Sequence, residues 1–167
     1  PDMGSWTYQY DGVGNLTAQQ DGRSQWLYLA YDNLNRLTSK RRDSAGGPLV
    51  ATYTYDTTDK GQLYSSKAYD SSGLTVQVEK QALDRDDRYR LTEQQWIVAG
   101  GGTFRMATGY NAAGSQTSIQ YPANNSGGLG EIVNNHFNSV GQLNQVISGL
   151  DNTHFLDSAP YQPTGQR

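Results

Sequence analysis

One short pattern recurs along this chain and limits what it can fold into. Tyr10-Asp11-Gly12-Val13-Gly14-Asn15-Leu16-Thr17 is the clearest copy, and Tyr31-Asp32-Asn33-Leu34-Asn35-Arg36-Leu37-Thr38 repeats it with Asn in the Gly position. Phe137-Asn138-Ser139-Val140-Gly141-Gln142-Leu143 is a third copy, and Tyr110-Asn111-Ala112-Ala113-Gly114-Ser115-Gln116 a weaker one. Two copies read as carrying two extra loop residues: Tyr55-Asp56 runs to Gly61-Gln62-Leu63, and Leu83-Asp84 runs to Tyr89-Arg90-Leu91-Thr92. Tyr69-Asp70-Ser71-Ser72-Gly73-Leu74 reads as a compact variant, and Tyr161-Gln162-Pro163-Thr164-Gly165 opens another copy. A regular kernel at irregular spacing points to hairpins of variable strand length.

The kernel has a mechanism. Asp at the first and Gly at the fourth position suits a type I turn. A Gly at φ > 0 completes the bulged form of a three-residue hairpin loop, and Asn tolerates the same backbone, so Asn35 is a sensible substitute. In that register Asp11 faces Asn15 and Tyr10 faces Leu16. Tyr31 then pairs with Leu37, and Phe137 with Leu143, each pair contributing roughly 0.2–1 kcal/mol.

The flanks alternate as strands do. Trp6, Tyr8 and Tyr10 share one parity, as do Ala51, Tyr53 and Tyr55, then Leu74, Val76 and Val78, and then Phe104, Met106 and Tyr110. The expected fold is all-β: an antiparallel meander of about a dozen short strands, in one array over residues 1–167, wide enough that the sheet should curve or spiral. Gly-rich stretches at 44–48, 99–102 and 124–128 are expected to connect hairpins at the ends opposite the kernels.

Composition bears on whether such a chain folds. Leu, Ile, Val and Phe supply only 29 of 167 residues, yet net charge is just −3, and 12 Tyr with 3 Trp restore apolar area. Mixed charges and a pI near 5.2 give no reason to expect nucleic acid or an anionic membrane as partner. There is no cysteine, hence no disulfide, and no apolar stretch long enough to span or insert into a membrane.

The kernel Tyr-Asp-x-x-Gly-x-Leu, repeated in this way from Trp6 to Gly165, resembles the YD or Rhs repeat. That resemblance implies a β-sheet spiralling into a hollow shell. Bacterial Rhs and wall-associated proteins and Tc-toxin cocoon subunits use such shells to enclose a toxin, and teneurins use one in cell-surface adhesion. It implies a structural role, a secreted or cell-surface setting, no cofactor, and no enzyme activity. Neighbouring repeats of a parent chain, and an encapsulated toxin domain, are the implied partners. Too few repeats are present to close a shell, and no Rhs-core segment is recognisable, so the chain is expected to be a fragment of a longer one. Its open sheet edges should favour homo-oligomers.

Asp11, Asp32, Asp56, Asp70, Asp84, Asn111 and Asn138 are expected to initiate turns by accepting local N–H bonds. Asn111 and Asn138 support this, because an amide caps a turn but is no base. Asp84, Asp86, Asp87 and Glu93 do not fit a calcium loop: from Asp84, the sixth and twelfth positions are Tyr89 and Gln95. His136 and His154 lack metal spacing and any accompanying nucleophile. Ala99-Gly100-Gly101-Gly102-Thr103 lacks the lysine of a phosphate loop. Asn15-Leu16-Thr17 and Asn124-Asn125-Ser126 match glycosylation acceptors, the first inside a turn. Trp26 and Tyr28, with Trp6 and Trp96, are candidate ligand-stacking aromatics. They support an alternative reading, an extracellular adhesin or carbohydrate-binding module with a glycan partner.

Overall fold

The computed structural model describes residues 4–157. Among these, the chain makes thirteen strands: β1 (Thr7–Tyr10), β2 (Leu16–Gln20), β3 (Trp26–Tyr31), β4 (Leu37–Arg42), β5 (Leu49–Tyr55), β6 (Leu63–Tyr69), β7 (Val76–Arg85), β8 (Leu91–Val98), β9 (Gly102–Tyr110), β10 (Gln116–Pro122), β11 (Leu129–Phe137), β12 (Leu143–Ser148) and β13 (His154–Leu156). Sheet order equals chain order from β1 to β13. The protein is therefore all-β, an open antiparallel meander.

The chain divides into two compact units, one ending at Gln81 and one beginning at Ala82. The first holds β1–β6 and the first part of β7; the second holds the rest of β7 and β8–β13. Register in the first is set hairpin by hairpin: Tyr10 stands opposite Leu16, Tyr31 opposite Leu37 and Tyr55 opposite Leu63. In the second, Tyr110 stands opposite Gln116 and Phe137 opposite Leu143. At each of these rungs the ladder shifts by one residue, the bulge that the turn requires.

Neither unit hides much. Among the described residues the buried hydrophobic side chains are Ala18 and Ala82, and the buried polar ones are Ser65 and Ser148. Those four are all small side chains. Most strand positions are half-buried instead. The aromatic-rich composition thus lines sheet faces with rings and does not gather into a closed interior.

Candidate functional site

The three-residue kernel turns reverse through one device. The Asp11 N–H donates to the Asn15 carbonyl (2.9 Å), and the Gly14 N–H donates back to the Asp11 carbonyl (3.2 Å). The Asp11 carboxylate accepts the N–H groups of Val13 (3.0 Å) and Asn15 (2.8 Å), which fills the bend. Asp32 accepts from Leu34 and Arg36 in the same way, both at 2.9 Å. Asn138 accepts from Val140 at 3.1 Å and Gln142 at 2.9 Å, and Asn111 from Ser115 at 2.9 Å. The residue in the fourth place has positive φ throughout: 93° at Gly14, 59° at Asn35, 96° at Gly114 and 82° at Gly141. The Asp56 loop is longer; its N–H reaches the Gln62 carbonyl (3.1 Å), and its carboxylate accepts from Gly61 (2.6 Å).

Three expectations need correction. The turn read as Leu83-Asp84 with two extra residues is an ordinary kernel two residues later. Asp86 donates to the Arg90 carbonyl (3.0 Å), Tyr89 donates back to Asp86 (2.8 Å), and Tyr89 occupies the glycine position at φ 60°. Leu83 and Asp84 lie within β7, where Asp84 accepts the Thr92 hydroxyl (3.0 Å). Second, Tyr69 and Asp70 join β6 to β7, an even-to-odd connection like the Gly-rich connectors, whereas the other kernels join odd to even strands. Third, that loop is not compact: Asp70 bonds to Thr75 (3.0 Å), and Tyr69 stands opposite Val76. Leu74, expected to share a strand face with Val76 and Val78, lies outside β7 and is 85% exposed.

One turn had no place in the expected set. Asp21-Gly22-Arg23-Ser24-Gln25 closes with the same bonds, Asp21 to Gln25 (3.0 Å) and Ser24 to Asp21 (2.9 Å), with Ser24 at φ 62°. No aromatic precedes it, so only the Asp-Gly pair between two alternating runs signals it. Tyr161 and Gly165 lie outside the described residues.

The residue four positions after the turn acid does more than close its own bend. Arg36 places Nε on its own Asp32 (2.8 Å) and spreads Nη1 and Nη2 over both oxygens of Asp56 in the following odd-to-even turn (3.0 and 2.6 Å). Its guanidinium lies 4.4 Å from the centre of the Tyr55 ring. Arg90 repeats the arrangement in the second unit: Nε to Asp86 (2.6 Å), Nη1 to the Asn111 carbonyl (3.2 Å), and the group 4.6 Å from the Tyr110 ring centre. Asn15 does it with an amide, reaching Asp11 (2.8 Å) and Asn35 (2.9 Å). The Tyr hydroxyls tie the same neighbours: Tyr31 donates to the Leu16 carbonyl (2.9 Å), Tyr55 to Leu37 (2.9 Å) and Tyr110 to Leu91 (3.3 Å).

These contacts set the electrostatics. The Arg36 guanidinium and then the Gly61 N–H hold Asp56 down to about 2. The Ser72 hydroxyl is the main cause holding Asp70 at about 2. Asp32 is lowered by the Arg36 N–H and side chain, against a smaller opposing effect of burial. All are firmly ionised, so none is poised for acid–base work.

At the even-to-odd connections backbone groups tie the loop to a nearby odd-numbered strand. Asp43 donates to the Trp26 carbonyl (3.1 Å), Gly127 to Thr103 (2.8 Å) and Gly149 to Ile132 (2.7 Å). Asp86 and Glu93 pair with Arg90 and Arg105, and among the described residues no group of three or more His, Cys, Asp or Glu is placed to hold a metal ion. His136 is exposed in β11, and His154 lies 3.3 Å from Asp157. Trp26 and Tyr28 come together, ring centres 5.7 Å apart, while Trp96 sits in the other unit opposite Phe104. Trp6 and Tyr8 form a second, more exposed pair at 6.3 Å.

Tight acid-capped bends and side chains that join neighbouring hairpins define a linked β-array. The fold has known counterparts. The crystal structure of TcdB2-TccC3-Cdc42 is similar to this chain at TM-score 0.76 and 13% identity, covering 99% of this chain and 9% of that one. The Tc holotoxin pore of Photorhabdus luminescens with a TccC3 mutation gives 0.77, 13%, 99% and 9%, and the crystal structure of TcdB2-TccC3 gives 0.76, 12%, 99% and 9%. The chain thus spans 9% of the length of the chains it is similar to. No family model and no curated protein matches it.

Proposed function

We propose that this chain is a stretch of wall in a YD/Rhs-type β-shell, a structural element that in its parent protein encloses a toxin or supports surface display outside the cell. The observation that carries the reading is the turn-to-turn joining. Arg36, Arg90, Asn15 and three Tyr hydroxyls each bind the adjacent repeat, which is what a wall of stacked hairpins needs and a catalytic site does not. The likeness to chains of Tc-toxin assemblies over nearly the whole sequence supports it. The polar side chains that could do chemistry are consumed in turns and clips, and the wall acts without catalysis.

Cryo-electron microscopy of the full-length gene product tests this. The expected map shows these strands continuous with others around an enclosed lumen. A map in which they stand as a separate module, with no lumen, overturns it.

A further inference from the structure

A pocket on one face of the first unit has the chemistry of a ligand site. Directly opposed residues share a sheet face. The register Gln9–Ala18–Tyr28–Arg41 therefore aligns four side chains across β1–β4, with the Ala30–Ser39 pair on the same face one rung away. Ala18 is 1% exposed, and with Ala30 and Ser39 it leaves a depression of about 170 Å³ beside the Tyr28 ring. The Trp26 ring, outside the lining, lies 5.7 Å from Tyr28 at a tilt of 31° and backs that ring. The Arg41 Nη1 donates to the Gly47 carbonyl (2.8 Å), which fixes one edge of the guanidinium. Arg41 is the one charged residue in the lining.

We propose that this depression binds a single acidic sugar residue, a hexuronate. An aromatic face takes the C–H face of a pyranose. Gln9, Tyr28 and Ser39 offer an amide and hydroxyls to ring hydroxyls, and the free edge of the Arg41 guanidinium suits a carboxylate. The volume lies below the ~300–1,000 Å³ of drug-sized sites, so it fits one ring and not a chain. A neutral sugar would leave the only charge in the lining unmatched. The proposal does not rest on the shell reading, since a wall segment and an independent module would carry the pocket equally.

The test is a titration of the 15N-labelled chain with D-galacturonate and D-glucuronate, and separately with D-galactose and D-glucose. Saturable amide shifts at Ala18, Tyr28, Ser39 and Arg41 are expected with at least one uronate. Binding of the neutral sugars should be weaker by about tenfold, the size of a charge-assisted hydrogen bond. Arg41→Gln should reduce uronate binding by a similar factor. Gln9→Leu on the exposed edge strand should weaken it while leaving the amide spectrum dispersed, which guards against a variant that merely misfolds. No saturable shift with either uronate, shifts confined to other residues, or equal response to the neutral sugars would overturn the proposal.

Discussion

Gly14 and Gly73 both hold a left-handed backbone, φ 93° and 74°, but their surroundings differ. A Cβ on Gly14 would meet nothing within 4 Å, whereas one on Gly73 would overlap the Pro48–Leu49 backbone. Gly14→Ala should therefore cost only the conformational penalty, about 1–2 kcal/mol. Gly73→Ala should cost distinctly more, because backbone must move. Urea denaturation of both compares them, and equal costs would contradict the packing. Tyr89, at φ 60° with a 57% exposed ring, invites the opposite change. Tyr89→Gly should raise stability by up to about 1 kcal/mol, since relieved strain outweighs the added freedom of the unfolded chain. The turn acids predict the pH response. Asp56 and Asp70 lie at about 2 in the folded chain, against an ordinary 3.8. Lowered carboxylates contribute stability that is complete above the unfolded value and lost as pH falls through the folded one. The melting temperature should be level from neutrality to mild acid and drop between about pH 4 and pH 2. Arg36→Gln should shrink that drop, because it removes the main cause of the Asp56 shift.

Between hairpins, the Tyr hydroxyl bonds can be isolated from the rings that carry them. Tyr31→Phe and Tyr55→Phe keep the rungs opposite Leu37 and Leu63 but lose the bonds to the Leu16 and Leu37 carbonyls. Each should cost about 0.5–1.5 kcal/mol by chemical denaturation. Tyr10→Phe, on the exposed edge strand, should cost far less. Elements are also where the sequence was easiest and hardest to read. Strand alternation and acid-plus-glycine spacing made the meander and many of its bends legible at Asp11, Asp32 and Asn138. The aromatic was given too much weight as a marker. The bend at Asp21 follows Gln20, and that at Asp86 follows Arg85 and ends in Tyr89, so reading for a ring before the acid missed one and displaced the other. The carboxylate accepting two N–H groups makes the turn; the preceding ring serves the sheet. Arg36 and Arg90 could not be recognised as clips, because their targets are set by strand pairing roughly twenty residues away.

At the scale of the molecule, β1 is the outermost strand on its side among the described residues. Trp6, just before β1, and Tyr8 and Tyr10 within it are 42, 49 and 62% exposed, and β1 contains no Lys and no Pro. Such an edge recruits another strand. Light scattering over a concentration series should show association, and Tyr8→Lys should suppress it; a monomer at all concentrations would contradict this. The sheet's lateral order was legible from repetition alone, while the scarcity of fully buried side chains among the described residues was not.

Because strands within each unit touch chiefly the strands beside them, each unit should come apart like a zipper, hairpin by hairpin, with no single collapse. Pulled by its termini in optical tweezers, it would yield in successive hairpin-sized steps. The guanidinium-clipped hairpins would mark the pauses.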